Sequence, residues 1–378
     1  MSAAGIIFSN VHDSNIPELT SARTIASVPF GCRYRFIDFT LSNMVNSNIY
    51  NISVITNNNY LSLMDHIGSG KDWDLARRSG GIKMLPPFVM TSRNGYTQLN
   101  PLSRLEALKS VNYYISRIKD EFVVLSDSDV ICNVDLNDII EYHSATGADM
   151  TLAVKRMSLT REESQNNIVV ESDESCRITD ILSYPNNFEG EAEVCLNLIV
   201  MRTDYLKSIV RDATAHGYSS LTRDIIARNL GRMNYRVYRY NGFFATIASL
   251  EDYFKYSMEL IENEKARKAL FEVKNRPILT KIRNSAPTYY SAESDVKNSL
   301  IADGCRIEGT VENSILFRGV NVGKGTVVRN SILMQDTILE ANVNVNCTIS
   351  DKNVVIRSGA VLSGVPNQPF YIAKGKMI

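Results

Sequence analysis

The sequence predicts an α/β domain with a mostly parallel sheet, followed by a left-handed parallel β-helix. Short, almost continuously apolar runs alternate with helical patterns through roughly the first 240 residues, the order expected of strands buried on both faces by crossover helices. The remainder repeats a short Asn-Ser-aliphatic motif, and 378 residues are enough for two cores.

The elements follow in chain order. The apolar run 3–8 reads as a buried first strand, and Val28-Pro-Phe-Gly31 resumes an ordered pattern. Between them the loop from Ser9 to Thr20 lies over the carboxyl end of a strand, where doubly wound sheets bind phosphate, yet it holds no glycine. Backbone amides close around a pyrophosphate only where the chain comes near with positive φ, which Val11 and Ile16 resist. Residues 35–48 place Phe36, Phe39, Leu41, Met44 and Val45 at helical spacing; 102–118, 136–143 and 203–209 repeat the theme. Residues 51–56, 121–125, 150–154 and 194–201 read as strands. A polar-apolar pattern over 249–271 predicts helices leading to Asn275-Arg276-Pro277, which divides the chain into 1–275 and 276–378.

Beyond that boundary Asn298-Ser-Leu-Ile301, Asn313-Ser-Ile-Leu316 and Asn330-Ser-Ile-Leu333 recur, with Cys347-Thr-Ile-Ser350 as a fourth copy; the spacings are 15, 17 and 17 residues. Three hexapeptides make one solenoid coil of about eighteen residues, with Gly304, Gly309, Gly319, Gly323, Gly325 and Gly359 expected at corners. Hexapeptide solenoids also serve acyltransferases, which rely on a histidine in the coils. All four histidines here precede residue 250.

Acidic and basic residues balance at 41 each, so no global field selects nucleic acid or an anionic membrane. The six cysteines are scattered without metal-ligand spacing, as in reduced thiols. No charged segment precedes an apolar run at the N-terminus, and no stretch nears the ~20 apolar residues of a span. A cytoplasmic location is expected.

Val28 to Ser47, reading VPFGCRYRFIDFTLSNMVNS, resembles the VPFGGKYRLIDFALSNCVNS segment of bacterial ADP-glucose pyrophosphorylases. Trp73 to Pro87 resembles their WDLDRxxGGVxILPP. With the C-terminal repeats the likeness spans the chain, which resembles the regulatory, noncatalytic-type subunits of that glucose-1-phosphate adenylyltransferase family. The resemblance implies a Rossmann-like nucleotidyltransferase domain and a role in making ADP-glucose from ATP and glucose 1-phosphate for glycogen.

Departures from the catalytic pattern cluster where chemistry occurs. Against GGxGTRLxxLTxxRAKPAVPFG, Leu19, Thr20 and Arg23 persist, but glycines become Asn10, Val11 and Asp13, the arginine becomes Asn15 and the lysine Ile25. The SGDHIY turn, source of one metal-binding aspartate, reads Ser126-Asp-Ser-Asp-Val-Ile131, leaving Asp127 and Asp129 as candidates; turn formation is the other reading of both. In the WxDVGT turn Phe243 stands where the second carboxylate belongs, and Tyr184 replaces the lysine of FVEKP that meets the sugar phosphate. Each lost cation removes a few kcal/mol of transition-state stabilisation in phosphoryl transfer. The expectation is a degenerate site with no metal or cofactor of its own, Mg²⁺ being the catalytic partner's. Arg33 falls where relatives carry an effector-binding lysine, and Arg23 and Arg35 flank it, so all three are candidates for phosphorylated effectors or, alternatively, for structural ion pairs. The expected partner is a catalytic subunit in a heterotetramer. The alternatives are a pyrophosphorylase active in its own right and a repurposed sugar-phosphate-binding scaffold.

Overall fold

The computed structural model describes residues 1–86 and 103–378; Pro87 of the second matched segment and Leu102 of the predicted 102–118 helix lie outside them. The apolar run at the N-terminus forms the strand Ala3–Phe8, as its composition requires. It lies at the centre of a nine-stranded sheet, parallel to both Asn51–Ile55 and Phe122–Asp127. Gly81–Leu85 continues the parallel side. On the other side the long strand Gly190–Arg202 runs antiparallel to Phe122–Asp127 and also pairs with Met150–Leu159 and Ile168–Ser172. It is long enough to serve all three because it shifts register between Cys195 and Ile199, where Asn197 adopts φ 56°.

Helices cover both faces. Phe36–Asn46 begins where the Asp38 carboxylate accepts the Arg35 N–H at 3.0 Å. The expected 102–118 helix is two shorter ones, Arg104–Ser110 and Asn112–Ile115, broken at Val111; Ser103 and Glu106 form the capping box that starts the first. Asn263 likewise separates Leu250–Glu262 from Glu264–Phe271 and caps the second. Strands at Gly81–Leu85, Ile168–Ser172, Ile178–Ser183 and Tyr235–Arg239 go beyond the sequence expectation. All four carry exposed charged or polar side chains, which dilutes an apolar signature.

From Tyr289 onward the chain winds into three parallel five-stranded sheets, a hexapeptide solenoid. The repeats are explained atom by atom. Asn298, Asn313, Asn330 and Cys347 all take positive φ, between 41° and 46°, at the corner before each strand. Asparagine tolerates that conformation better than most residues. The following hydroxyl bridges coils: Ser299, Ser314 and Ser331 Oγ accept the backbone N–H of Ser314, Ser331 and Thr348 at 3.1, 3.1 and 3.2 Å. The two aliphatics then stack in register, Leu300 on Ile315 on Ile332 on Ile349. Gly304 and Gly319 supply positive φ, whereas Gly323 is required by proximity, since a Cβ there would lie 2.7 Å from the Glu340 carbonyl.

The solenoid is packed onto the first domain. Ile315, Phe317, Ile332, Met334 and Ile349 join Ile16, Phe30, Phe36, Phe39 and Tyr253 in one buried cluster. Each fully buried side chain of this size contributes about 1.5–3 kcal/mol. The connecting segment is fastened too: Asn133 Nδ2 donates to the Leu270 and Arg276 carbonyls, and Thr280 Oγ1 donates to Asp38 at 2.5 Å.

Candidate functional site

The carboxyl ends of Ala3–Phe8 and Phe122–Asp127 meet beneath the loop that lacks glycine. Ile16 anchors this loop, fully buried in the cluster shared with the solenoid. Polar side chains of the loop bond to one another and to nearby backbone. Asp13 Oδ1 accepts the Ile25 N–H at 2.7 Å, Asn10 Nδ2 donates to Asp13 Oδ2 at 2.5 Å, and Thr20 Oγ1 donates to the Asp13 carbonyl at 2.6 Å. Asn10 Oδ1 also accepts the Asn57 N–H. The loop therefore carries its own carboxylate against a backbone amide. Burial, opposed by the Ile25 N–H and Asn10, raises Asp13 to about 6.

Asp127 and Asp129 are both buried, at 1% and 6% exposure. Neither is free. Arg104 grips Asp127 bidentately, Nε on Oδ1 at 2.8 Å and Nη2 on Oδ2. His12 Nδ1 lies 2.6 Å from Asp129 Oδ2, and its Nε2 lies 3.7 Å from Asp127 Oδ2. Burial alone lowers a histidine, but the Asp129 and Asp127 carboxylates outweigh it and hold His12 above its ordinary value. Burial likewise favours neutral Asp129, and His12 overrides it, lowering the carboxyl. Ligand atoms of His12, Asp127 and Asp129 all lie within 4.8 Å of one another, the one such cluster among the described residues. His12 and Arg104 were not candidates from the sequence. His12 sits at an unspecified position of the matched pattern, and Arg104 lies outside both matched segments.

Beside this network a cavity of about 630 Å³ is lined by Val11, Arg104, Leu182, Tyr184, Pro185 and Leu221 among others. Tyr184 stands 42% exposed with φ 56°. Phe243 is buried in the same hydrophobic cluster as Ile16 and Tyr253, so the second carboxylate position is part of a core.

The three candidate arginines have separate fates. Arg23 is 3% exposed, with Nη2 2.7 and 2.6 Å from the two Asp351 oxygens; this corrects its reading as an anion receptor, because the solenoid already supplies the anion. Arg33 and Arg35 line a pocket between the domains with Arg283, Arg318 and Lys352. Arg33 is exposed; Arg35 Nη1 donates to the Ser62 carbonyl at 2.7 Å. Arg318 Nε meets Asp303 at 3.1 Å, while its Nη2 is buried without a hydrogen-bond partner. Burial, then Arg35 and Arg23, lowers Lys352 to about 7, and burial lowers Arg35 to about 10. An excess of cations with an unpaired buried donor is the signature of a place for an anion. The solenoid's contribution to this pocket carried no signal in the sequence pattern.

Residues 14–262 match the family described as Nucleotidyl transferase, and residues 286–368 match GlmU-like, C-terminal hexapeptide. The chain is 31% identical over 371 residues to the glycogen biosynthesis protein GlgD of Bacillus subtilis, covering 98% of this chain and 95% of that one. It is 34% identical to GlgD of Geobacillus stearothermophilus, covering 98% and 96%. It is 30% identical to the glucose-1-phosphate adenylyltransferase of the latter organism, covering 84% and 80%. Among the described residues no helix is long and apolar enough to cross a membrane.

Proposed function

The chain belongs to the nucleotidyl transferase family, in the branch of GlgD and glucose-1-phosphate adenylyltransferase, and from that premise we propose that it serves glycogen biosynthesis as a regulatory subunit without catalysis of its own. One observation carries the noncatalytic part. Asp13 holds its carboxylate on the Ile25 N–H inside the loop over the phosphate-binding edge of the sheet, so the protein's own negative charge stands where a triphosphate would have to approach.

The partner is a catalytic glucose-1-phosphate adenylyltransferase subunit, and the assembly a heterotetramer. Regulation works through differential affinity: the chain changes its partner's activity only by favouring one of that partner's two states across a shared interface. The pocket of Arg33, Arg35, Arg283, Arg318 and Lys352 encloses only about 30 Å³, so a phosphorylated metabolite sits at its mouth, against exposed Arg33, between the two domains, and so can shift that preference.

The test is co-purification with a catalytic adenylyltransferase. Alone, the chain with ATP, glucose 1-phosphate and Mg²⁺ forms no ADP-glucose. Together, the pair differs from the catalytic subunit alone in maximal rate, substrate affinity or effector response, and Arg33→Ala blunts the effector response. Turnover by the chain alone, or unchanged kinetics of the pair, overturns the proposal.

A further inference from the structure

We propose that Arg104 is a resident cation whose guanidinium keeps divalent metal out of the cleft, an inference that deepens the noncatalytic reading and rests on it. The magnesium that catalytic relatives need does not fit the donors present. Mg²⁺ takes oxygen ligands in near-ideal octahedral geometry. Here Arg104 Nε and Nη2 engage both oxygens of Asp127, which is 1% exposed, and Arg104 Nη2 lies 3.4 Å from His12 Nε2. His12 Nδ1 takes Asp129 Oδ2. The remaining carboxylate position is Phe243, in the core.

Spacing is not the obstacle, because His12, Asp127 and Asp129 hold their ligand atoms within 4.8 Å, close enough to share an ion. Charge and lone pairs are. A dication entering this cluster must displace Arg104 from Asp127 and leave a guanidinium only 11% exposed facing it, and among the described residues Arg104 pairs with no carboxylate but Asp127. The capping box of Ser103 and Glu106 fixes the helix that begins at Arg104, so the backbone does not easily carry the guanidinium away. Freed of Arg104, one imidazole and two carboxylates form a donor set suited to Mn²⁺ or Zn²⁺ more than to Mg²⁺.

The experiment titrates Mn²⁺ into the full chain and follows the free-ion signal by electron paramagnetic resonance. Arg104→Gln and Arg104→Met, the latter keeping most of the side-chain volume, each bind one Mn²⁺ at least about tenfold more tightly than the unaltered chain. Asp127→Asn added to either variant abolishes the gain, and Arg104→Lys restores exclusion. In the unaltered chain Asp127→Asn leaves Mn²⁺ uptake unchanged, a readout that does not depend on any Arg104 variant folding. Mn²⁺ uptake by the unaltered chain that Asp127→Asn removes overturns the proposal, as do folded Arg104 variants, checked by thermal unfolding, that bind no better. A chain that binds Mn²⁺ yet makes no ADP-glucose sinks metal exclusion alone. A chain that excludes Mn²⁺ but leaves its catalytic partner's kinetics unchanged sinks the regulatory reading alone.

Discussion

Lys352 shows how one side chain couples the interdomain pocket to pH. Burial and the adjacent Arg35 and Arg23 lower its ammonium to about 7, so near neutrality the lysine in the unliganded pocket is partly uncharged. An anion held among Arg33, Arg35, Arg283 and Arg318 reverses part of that penalty and draws a proton onto Lys352. Affinity for sulfate, which stays a dianion across the range, therefore falls as pH rises through about 7. Calorimetry in two buffers of different ionisation heat should register proton uptake on binding, and Lys352→Met should flatten the pH profile and weaken binding below neutrality; a flat profile in the unaltered chain refutes the coupling. The stability effect has the opposite sense. Because the folded value lies below the unfolded one, the unfolded chain holds the extra proton between about 7 and the ordinary lysine range, so this group adds stability as pH climbs through that window. Sequence reading reached Asp127, Asp129, Arg33 and Arg35 through the motifs that contain them. Arg104 and Lys352 were out of reach, because what each does depends on a partner from a distant segment rather than on its neighbours in sequence.

At the scale of elements, the solenoid was the most legible part of the chain. Its repeat is a direct imprint of geometry: an asparagine for the left-handed corner, a hydroxyl for the next coil's amide, two aliphatics for the interior. Ser331 tests this assignment. Its Oγ donates to the Arg329 carbonyl at 2.6 Å and accepts the Thr348 N–H at 3.2 Å, with both residues fully buried. Ser331→Ala strands the Thr348 amide without a partner and should cost about 1–3 kcal/mol. Ser363→Ala, on the exposed final coil, should stay within about 0.5 kcal/mol. Urea midpoints of the two variants decide the matter, and equal effects would show that the hydroxyl ladder contributes nothing specific. The α/β elements were read unevenly for the same physical reason. Ala3–Phe8 is apolar at every position and was legible residue for residue, whereas Ile178–Ser183 buries only Ile178 and Ile181 and leaves little pattern to find.

For the whole molecule, two architectures were legible and their union was not. Arg23 and Asp351 are 328 positions apart, and nothing local to either announces a pair. Yet that pair sits beside the apolar cluster shared by loop, helix and solenoid, each partner only 3% exposed. Removing one member of a buried ion pair costs about 3–5 kcal/mol, because the other charge stays buried and unpaired, whereas replacing both by apolar groups of similar size is close to neutral. Arg23→Ala should therefore destabilise far more than the double change Arg23→Met with Asp351→Leu. The location of the loss is the sharper point. Trp73, the chain's single tryptophan, is fully buried in the first domain and reports on it alone, while far-ultraviolet circular dichroism reports on both parts. If the shared core makes one cooperative unit, Trp73 fluorescence and circular dichroism follow the same urea transition in the unaltered chain, and Arg23→Ala moves both together. A solenoid that melts first, with Trp73 undisturbed, would mean that the ion pair and the apolar cluster join two independently stable bodies, and an anion between them would then have no rigid connection through which to act on the catalytic partner.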